Sequence, residues 1–130
     1  MHLYLVSIPI AWLLIYAPRL LVIAASRQEF GYLENHHPRE QQARLSGWGK
    51  RAQAAHENSF EAFAPFAAAV LVAHAGGGNS TWIGLFAGIF LASRIAYIAL
   101  YLANLGLPRS CVWVIGAGST AALFALPIMS

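Results

Sequence analysis

The chain has 130 residues, 58% of them hydrophobic and 10% charged, with a mean hydropathy of +0.57, whereas an ordinary soluble domain carries about a quarter charged residues. That balance excludes a soluble domain. The net charge of +3 does not point to nucleic acid either, because the basic residues are spread over connections and are not gathered on one extended face.

Four apolar segments, at about residues 3–25, 51–75, 81–104 and 111–128, are each long enough at 1.5 Å per residue to cross a hydrocarbon core of about 30 Å. Backbone groups in lipid must be satisfied within a segment, so the expected fold is all-α, a four-transmembrane-helix bundle, with residues 1–130 forming a single integral membrane domain. A cleaved signal peptide is the rival reading of the first segment, but no basic region precedes Leu3 and no small-x-small cleavage site precedes Arg27. Within that segment Pro9 and Pro18 predict kinks, and Arg19 reads as a side chain snorkelling to the interface.

The following connection, RQEFGYLENHHPREQQARLSGWGK, is divided by Gly31, Pro38 and Gly47. His36 and His37 lack the companions of a metal site and read as solvated. The stretch PREQQARLSGW predicts a short interfacial helix, with Leu45 and Trp48 laid on the membrane surface. Arg27, Arg39, Arg44, Lys50 and Arg51 lie in or beside this connection and Arg109 lies in the third, while the connection AGGGNST and both termini have no Lys or Arg. The positive-inside rule therefore expects the long first loop to be cytoplasmic and both termini to lie on the opposite side. AGGGNST itself predicts a tight turn with Asn79 or Ser80 as N-cap. In the last segment the small residues of VIGAGSTAALFA predict close helix packing around Gly116 and Thr120 or Gly118 and Ala122. Cys111, the only cysteine, excludes an intrachain disulfide and reads as a helix-end residue.

The polar stretch AAHENSFEAF opens the second segment. On a helix, Arg51, Asn58 and Glu61 share one stripe, and Glu61 lies about 15 Å into the span, beyond easy reach of water. Arg94, near the middle of the third segment, shares a face with Tyr97 and Tyr101; an unpaired arginine there costs about 2.5 kcal/mol or more, so Arg94 and Glu61 are expected to face one another. Two readings stay open. The groups either form a network that fixes helix register, or they line a cleft for a ligand. Arginines with an asparagine and two phenols suit a small anionic, peptide-like molecule, with a lipid-soluble co-substrate entering from the bilayer.

The string RAQAAHENSFEAFAPF, then R-x-x-Y-x-x-x-Y in RIAYIALY, then PRS, resembles the MAPEG family (membrane-associated proteins in eicosanoid and glutathione metabolism), and HPRE with RLSGW is most similar to its bacterial branch. The resemblance implies a homotrimer in the bacterial inner membrane that takes glutathione as co-substrate between subunits and activates its thiolate for conjugation, as a transferase, or for peroxide reduction of a hydrophobic electrophile. It implies that Arg27, Arg51, Asn58, Glu61, Arg94, Tyr97 and Tyr101 bind glutathione. Arg109 would be the catalytic residue beside the sulfur, with Ser110 as a second donor. A non-catalytic scaffold or regulator of the same fold, and a small multidrug transporter, are the alternatives. The transporter is disfavoured because Glu61 is accompanied by Asn58, Arg51 and Arg94.

Overall fold

In the computed structural model, which describes residues 2–129, a single 3-10 turn at Leu3–Val6 leads into α1 (Ser7–Phe30). The short α2 (Pro38–Ala43) follows, then α3 (Gly47–Ala75), α4 (Ser80–Leu102) and α5 (Gly106–Met129). The four long helices form the bundle that the apolar segments predict. Helix α1 with its leading turn, α4 and α5 are long and apolar enough to cross a bilayer. Helix α3 has 29 residues and is diluted by Lys50, Arg51, Glu57 and Glu61.

The helix limits differ from the apolar stretches: α1 and α3 extend beyond them at the end of the bundle that carries the long connection, and α4 stops at Leu102, two residues short. Helix α1 continues to Phe30, where Gly31 at φ 79° closes it and donates its amide to the Arg27 carbonyl at 3.0 Å. A left-handed residue at this position is the usual helix stop, and glycine adopts it without strain. Glu29 then takes both the amide and the hydroxyl of Ser46, at 3.0 and 2.8 Å, tying the end of α1 to the start of α3. Asn79 caps α4, its Oδ1 accepting from the amides of Thr81 at 3.0 Å and Trp82 at 3.3 Å.

Two expectations about the first half need correcting. Pro9 is the third residue of α1, close behind the 3-10 turn, and of the two prolines only Pro18 lies inside the α-helix. Leu45 is not laid on the membrane surface but is 3% exposed, packed with Val22, Ala25 and Ala52 between α1 and α3.

Helices α3 and α4 form the centre. Helix α1 packs chiefly on α3, and α5 on α4 and α3. The core between them is built on Phe66 and Phe90, stacked at 3.8 Å with an interplanar angle of 4°. At Gly116 a Cβ would lie 2.6 Å from Ser93 Oγ, so α4 and α5 approach closely there, on the Gly116 face of VIGAGSTAALFA; Gly118 meets nothing within 4 Å and takes no part. At one end of the bundle Gly76 meets Pro127 and the Tyr4 hydroxyl meets His74 Nδ1 at 2.9 Å. The opposite end gathers the long connection and the α4–α5 turn, where Arg51 Nε donates to the Leu102 carbonyl at 3.1 Å.

Candidate functional site

Helices α3, α4 and the first half of α5 enclose two adjoining cavities. The inner one, about 240 Å³, is lined by Asn58, Glu61, Ala62 and Pro65 of α3, Phe90 and Arg94 of α4, and Trp113, Gly116, Ala117 and Thr120 of α5. The outer one, about 280 Å³, is lined by Asn58, Tyr97, Arg109, Ser110, Trp113 and Val114. Asn58 and Trp113 line both, so the two cavities lie side by side.

The cations of this cleft are arranged around tyrosine rings. Arg94, 5% exposed, lays its guanidinium carbon 4.4 Å from the Tyr97 ring centre and donates from Nη2 to Ser59 Oγ at 3.3 Å. Ser59 in turn donates to the Ala55 carbonyl at 2.8 Å. Tyr97 meets Tyr101 edge to face at 5.6 Å, and Arg109 from the first turn of α5 stands 4.2 Å over the Tyr101 ring. The i, i+3 and i+7 spacing of Arg94, Tyr97 and Tyr101 places them on one helix face, and cation–π attraction holds a guanidinium at each end of the tyrosine pair.

Opposite this ladder, α3 presents acceptors. Asn58 Nδ2 reaches Glu61 Oε2 at 3.5 Å, while Asn58 Oδ1 is buried with no hydrogen-bond partner. A buried amide oxygen without a donor costs about 1–3 kcal/mol, which a ligand N–H could recover.

Arg94 and Glu61 do face the same cavity, as expected, but among the described residues they form no ion pair. Arg94 is held by Ser59 and Tyr97, and Glu61 lies on the exposed side of α3. The inner cavity is thus lined by a guanidinium and a carboxylate that are not paired with each other. Ser110 lines the outer cavity, its hydroxyl donating to the Gly106 carbonyl at 3.1 Å. Arg51 lies at the same end of the bundle, with its Nε spent on Leu102. Arg27 is exposed in the last turn of α1 and lines neither cavity.

The residue that the sequence reading missed is Trp113, the wall common to both cavities. It lies four positions after Arg109, on the same face of α5, and that spacing was the available signal.

No curated protein matches the chain closely enough to count as a relative. The MAPEG family model matches residues 3–129, nearly the whole bundle including every residue of the cleft. On this match and the helical fold, the chain belongs to the MAPEG family of integral membrane proteins.

Proposed function

We propose that the chain binds glutathione in the α3–α4–α5 cleft and activates its thiol for attack on a hydrophobic electrophile. The observation that carries this reading is the pairing of two guanidiniums, Arg94 and Arg109, on the Tyr97–Tyr101 pair with the unpartnered Asn58 Oδ1 and the Glu61 carboxylate across a cavity. Glutathione carries two carboxylates, an ammonium and two amides. Glu61 suits the ammonium, Asn58 Oδ1 an amide N–H, and the arginines the carboxylates and the sulfur.

Arg109 acts on the sulfur. A thiol of ordinary pKa, about 8.5, is only a few per cent ionised at neutral pH, and the thiolate is the nucleophile. A guanidinium does not give up its proton, so its contribution is electrostatic: it favours the anion, and Ser110 can add a hydroxyl donor. In conjugation the sulfur lone pair forms a C–S bond; a halide leaves with the displaced electron pair as the anion, or an epoxide C–O bond opens and its oxygen, still on the product, takes a proton. In peroxide reduction the sulfur attacks the distal oxygen, the O–O bond breaks, and the alkoxide leaves with the electron pair and takes a proton to become the alcohol, giving the sulfenic acid. A second glutathione then converts the sulfenic acid to the disulfide and water.

The cleft is open along Glu61, Trp113 and Ala117, all on the exposed surface of the bundle. A neighbouring copy laid on that side would close it, and supports a homotrimer in which Arg27 comes to glutathione from the adjacent subunit. The basic end of the bundle lies on the cytoplasmic side in this reading, and the membrane is the bacterial inner membrane. Purified protein in mild detergent should conjugate glutathione to a model aryl halide or reduce a lipid hydroperoxide, and Arg109→Ala should lose that activity while keeping glutathione binding. Full activity in Arg109→Ala overturns the role of Arg109. The absence of both activities in wild-type protein that binds glutathione favours a non-catalytic scaffold.

A further inference from the structure

Tyr101 and Arg109 stand on either side of the corner between α4 and α5, and only residues 103–105 separate the two helices. The corner is closed from within. Asn104, at φ 60°, donates its amide to the Tyr101 carbonyl at 3.0 Å, and the Leu105 amide reaches the Leu100 carbonyl at 3.0 Å. This is the left-handed helix stop, which returns two amides to the last turn. Arg109, in the first turn of α5, donates its own amide to the Leu105 carbonyl at 3.2 Å.

These bonds hold the shape of the corner but not its place on the bundle, and residues 103–108 are exposed. Leu102, the last residue of α4, anchors it. The Leu102 side chain packs against the buried cluster of Val22, Ala25, Leu45 and Ala52, and its carbonyl accepts from Arg51 Nε of α3 at 3.1 Å. That carbonyl is among the last four of the helix, which no amide inside the helix can reach, and a cation at this end is favoured by the helix dipole. Arg51 lies about two turns before Asn58 on α3, yet it lines neither cavity of the cleft. It joins the helix that carries Asn58 and Glu61 to the corner that carries Tyr101 and Arg109.

Resting on the reading of the cleft as a glutathione site, we propose that Arg51 is a positioning residue and not a glutathione ligand. By holding the Leu102 carbonyl it sets the α4–α5 corner against α3, and so fixes Arg109 over Tyr101 beside the sulfur. A displacement of about 1 Å, caused far from the reacting atom, can cost about a hundredfold in rate. A tie outside the cleft therefore governs how well the thiolate is stabilised.

The experiment separates binding from activation in the full chain, solubilised in mild detergent. In Arg51→Ala the thiol pKa of bound glutathione, read by thiolate ultraviolet absorbance, should rise by about half a unit to one unit. The kcat for a model aryl halide should fall with it, while the glutathione Kd, read by calorimetry, stays within about twofold. Amide exchange at Asn104 and Leu105, measured without glutathione, should quicken about tenfold. Arg51→Lys, which keeps a cation and a donor for the carbonyl, should recover most of both changes. Arg51→Gln, which removes the charge alone, carries the same comparison if Arg51→Ala does not fold. An unchanged thiolate pKa overturns the proposal, as does unchanged amide exchange. A glutathione Kd raised about tenfold or more with the thiolate pKa unmoved would make Arg51 a ligand contact instead. Wild-type protein that binds no glutathione would overturn the reading of the cleft, and the exchange measurement, which needs no ligand, then decides the tie on its own.

Discussion

Replacing Arg109 by alanine removes the cation nearest the outer mouth of the cleft and leaves the rest of the ladder in place. A guanidinium about 4 Å from a thiolate attracts it by about 4 kcal/mol at an effective dielectric of 20 and by about 1 kcal/mol in bulk water. Arg109 is half-buried, which places it between those limits. A loss of about 1.4–2.7 kcal/mol follows, equivalent to a rise of about one to two units in the pKa of bound glutathione. If the wild-type arginine holds a thiol of ordinary pKa, about 8.5, one to two units lower, the thiolate fraction at neutral pH then falls about eightfold to twenty-five-fold. The arginine's contact with the Tyr101 ring, at 4.2 Å, contributes about 0.5–1 kcal/mol more to local stability if the site stays wet. The assay is a pH titration of thiolate ultraviolet absorbance in glutathione-loaded protein, run beside kcat/KM for a model electrophile. Arg109→Lys should recover part of the shift, because it keeps the charge but not the planar stacking. An unchanged thiolate pKa in Arg109→Ala, with glutathione still bound, would refute the assignment.

Other expectations concern the scaffold. Gly116→Ala should destabilise the bundle by about 1–3 kcal/mol, because the new Cβ would fall 2.6 Å from Ser93 Oγ; adding Ser93→Gly should restore most of the loss in thermal unfolding. Phe66→Ala removes one half of the stacked pair with Phe90 and should cost about 3–5 kcal/mol, read the same way. Ser59→Ala takes the hydrogen-bond acceptor from buried Arg94 and should cost about 1–3 kcal/mol, whereas Ser59→Thr, which keeps the hydroxyl, should cost less. In the long connection, the Glu34 carboxyl is held below its ordinary pKa, chiefly by the His36 amide that donates to it at 2.7 Å. A depressed acid stabilises the folded loop above its ordinary pKa and loses that contribution as pH falls through the lowered value. Glu34→Gln should therefore flatten the acid limb of amide-exchange protection at His36.

The bundle was legible because four runs of apolar residues leave few alternatives once the backbone must satisfy itself in lipid. Helix ends were less so. Hydropathy follows lipid contact, whereas α1 and α3 continue as helices into water, where Gly31 and the Glu29–Ser46 contacts decide the limits. Leu45 was misplaced because an amphipathic stretch reads the same whether its apolar side meets lipid or a neighbouring helix. Within the site, the spacing of Arg94, Tyr97 and Tyr101 and the stripe holding Asn58 and Glu61 were readable from helical periodicity. The partners were not. That Arg94 bonds Ser59, and stays clear of Glu61, depends on how α3 and α4 are rotated against each other, which one sequence does not encode in any local pattern. Trp113 escaped attention for a related reason: a tryptophan in an apolar span reads as a lipid-facing anchor until the neighbouring helices are in place.

The central claim is that Asn58, Glu61, Arg94, Tyr97, Tyr101 and Arg109 converge on one glutathione site, and its most direct test is the thermal midpoint of the detergent-solubilised protein as glutathione is raised to millimolar concentration. A ligand bound only to the folded form adds RT ln(1 + [L]/Kd) to stability, so the wild-type midpoint should climb with glutathione while that of Asn58→Ala, which has lost the buried amide, stays nearly flat. A wild-type midpoint indifferent to glutathione, or an equal climb in Asn58→Ala, would contradict it.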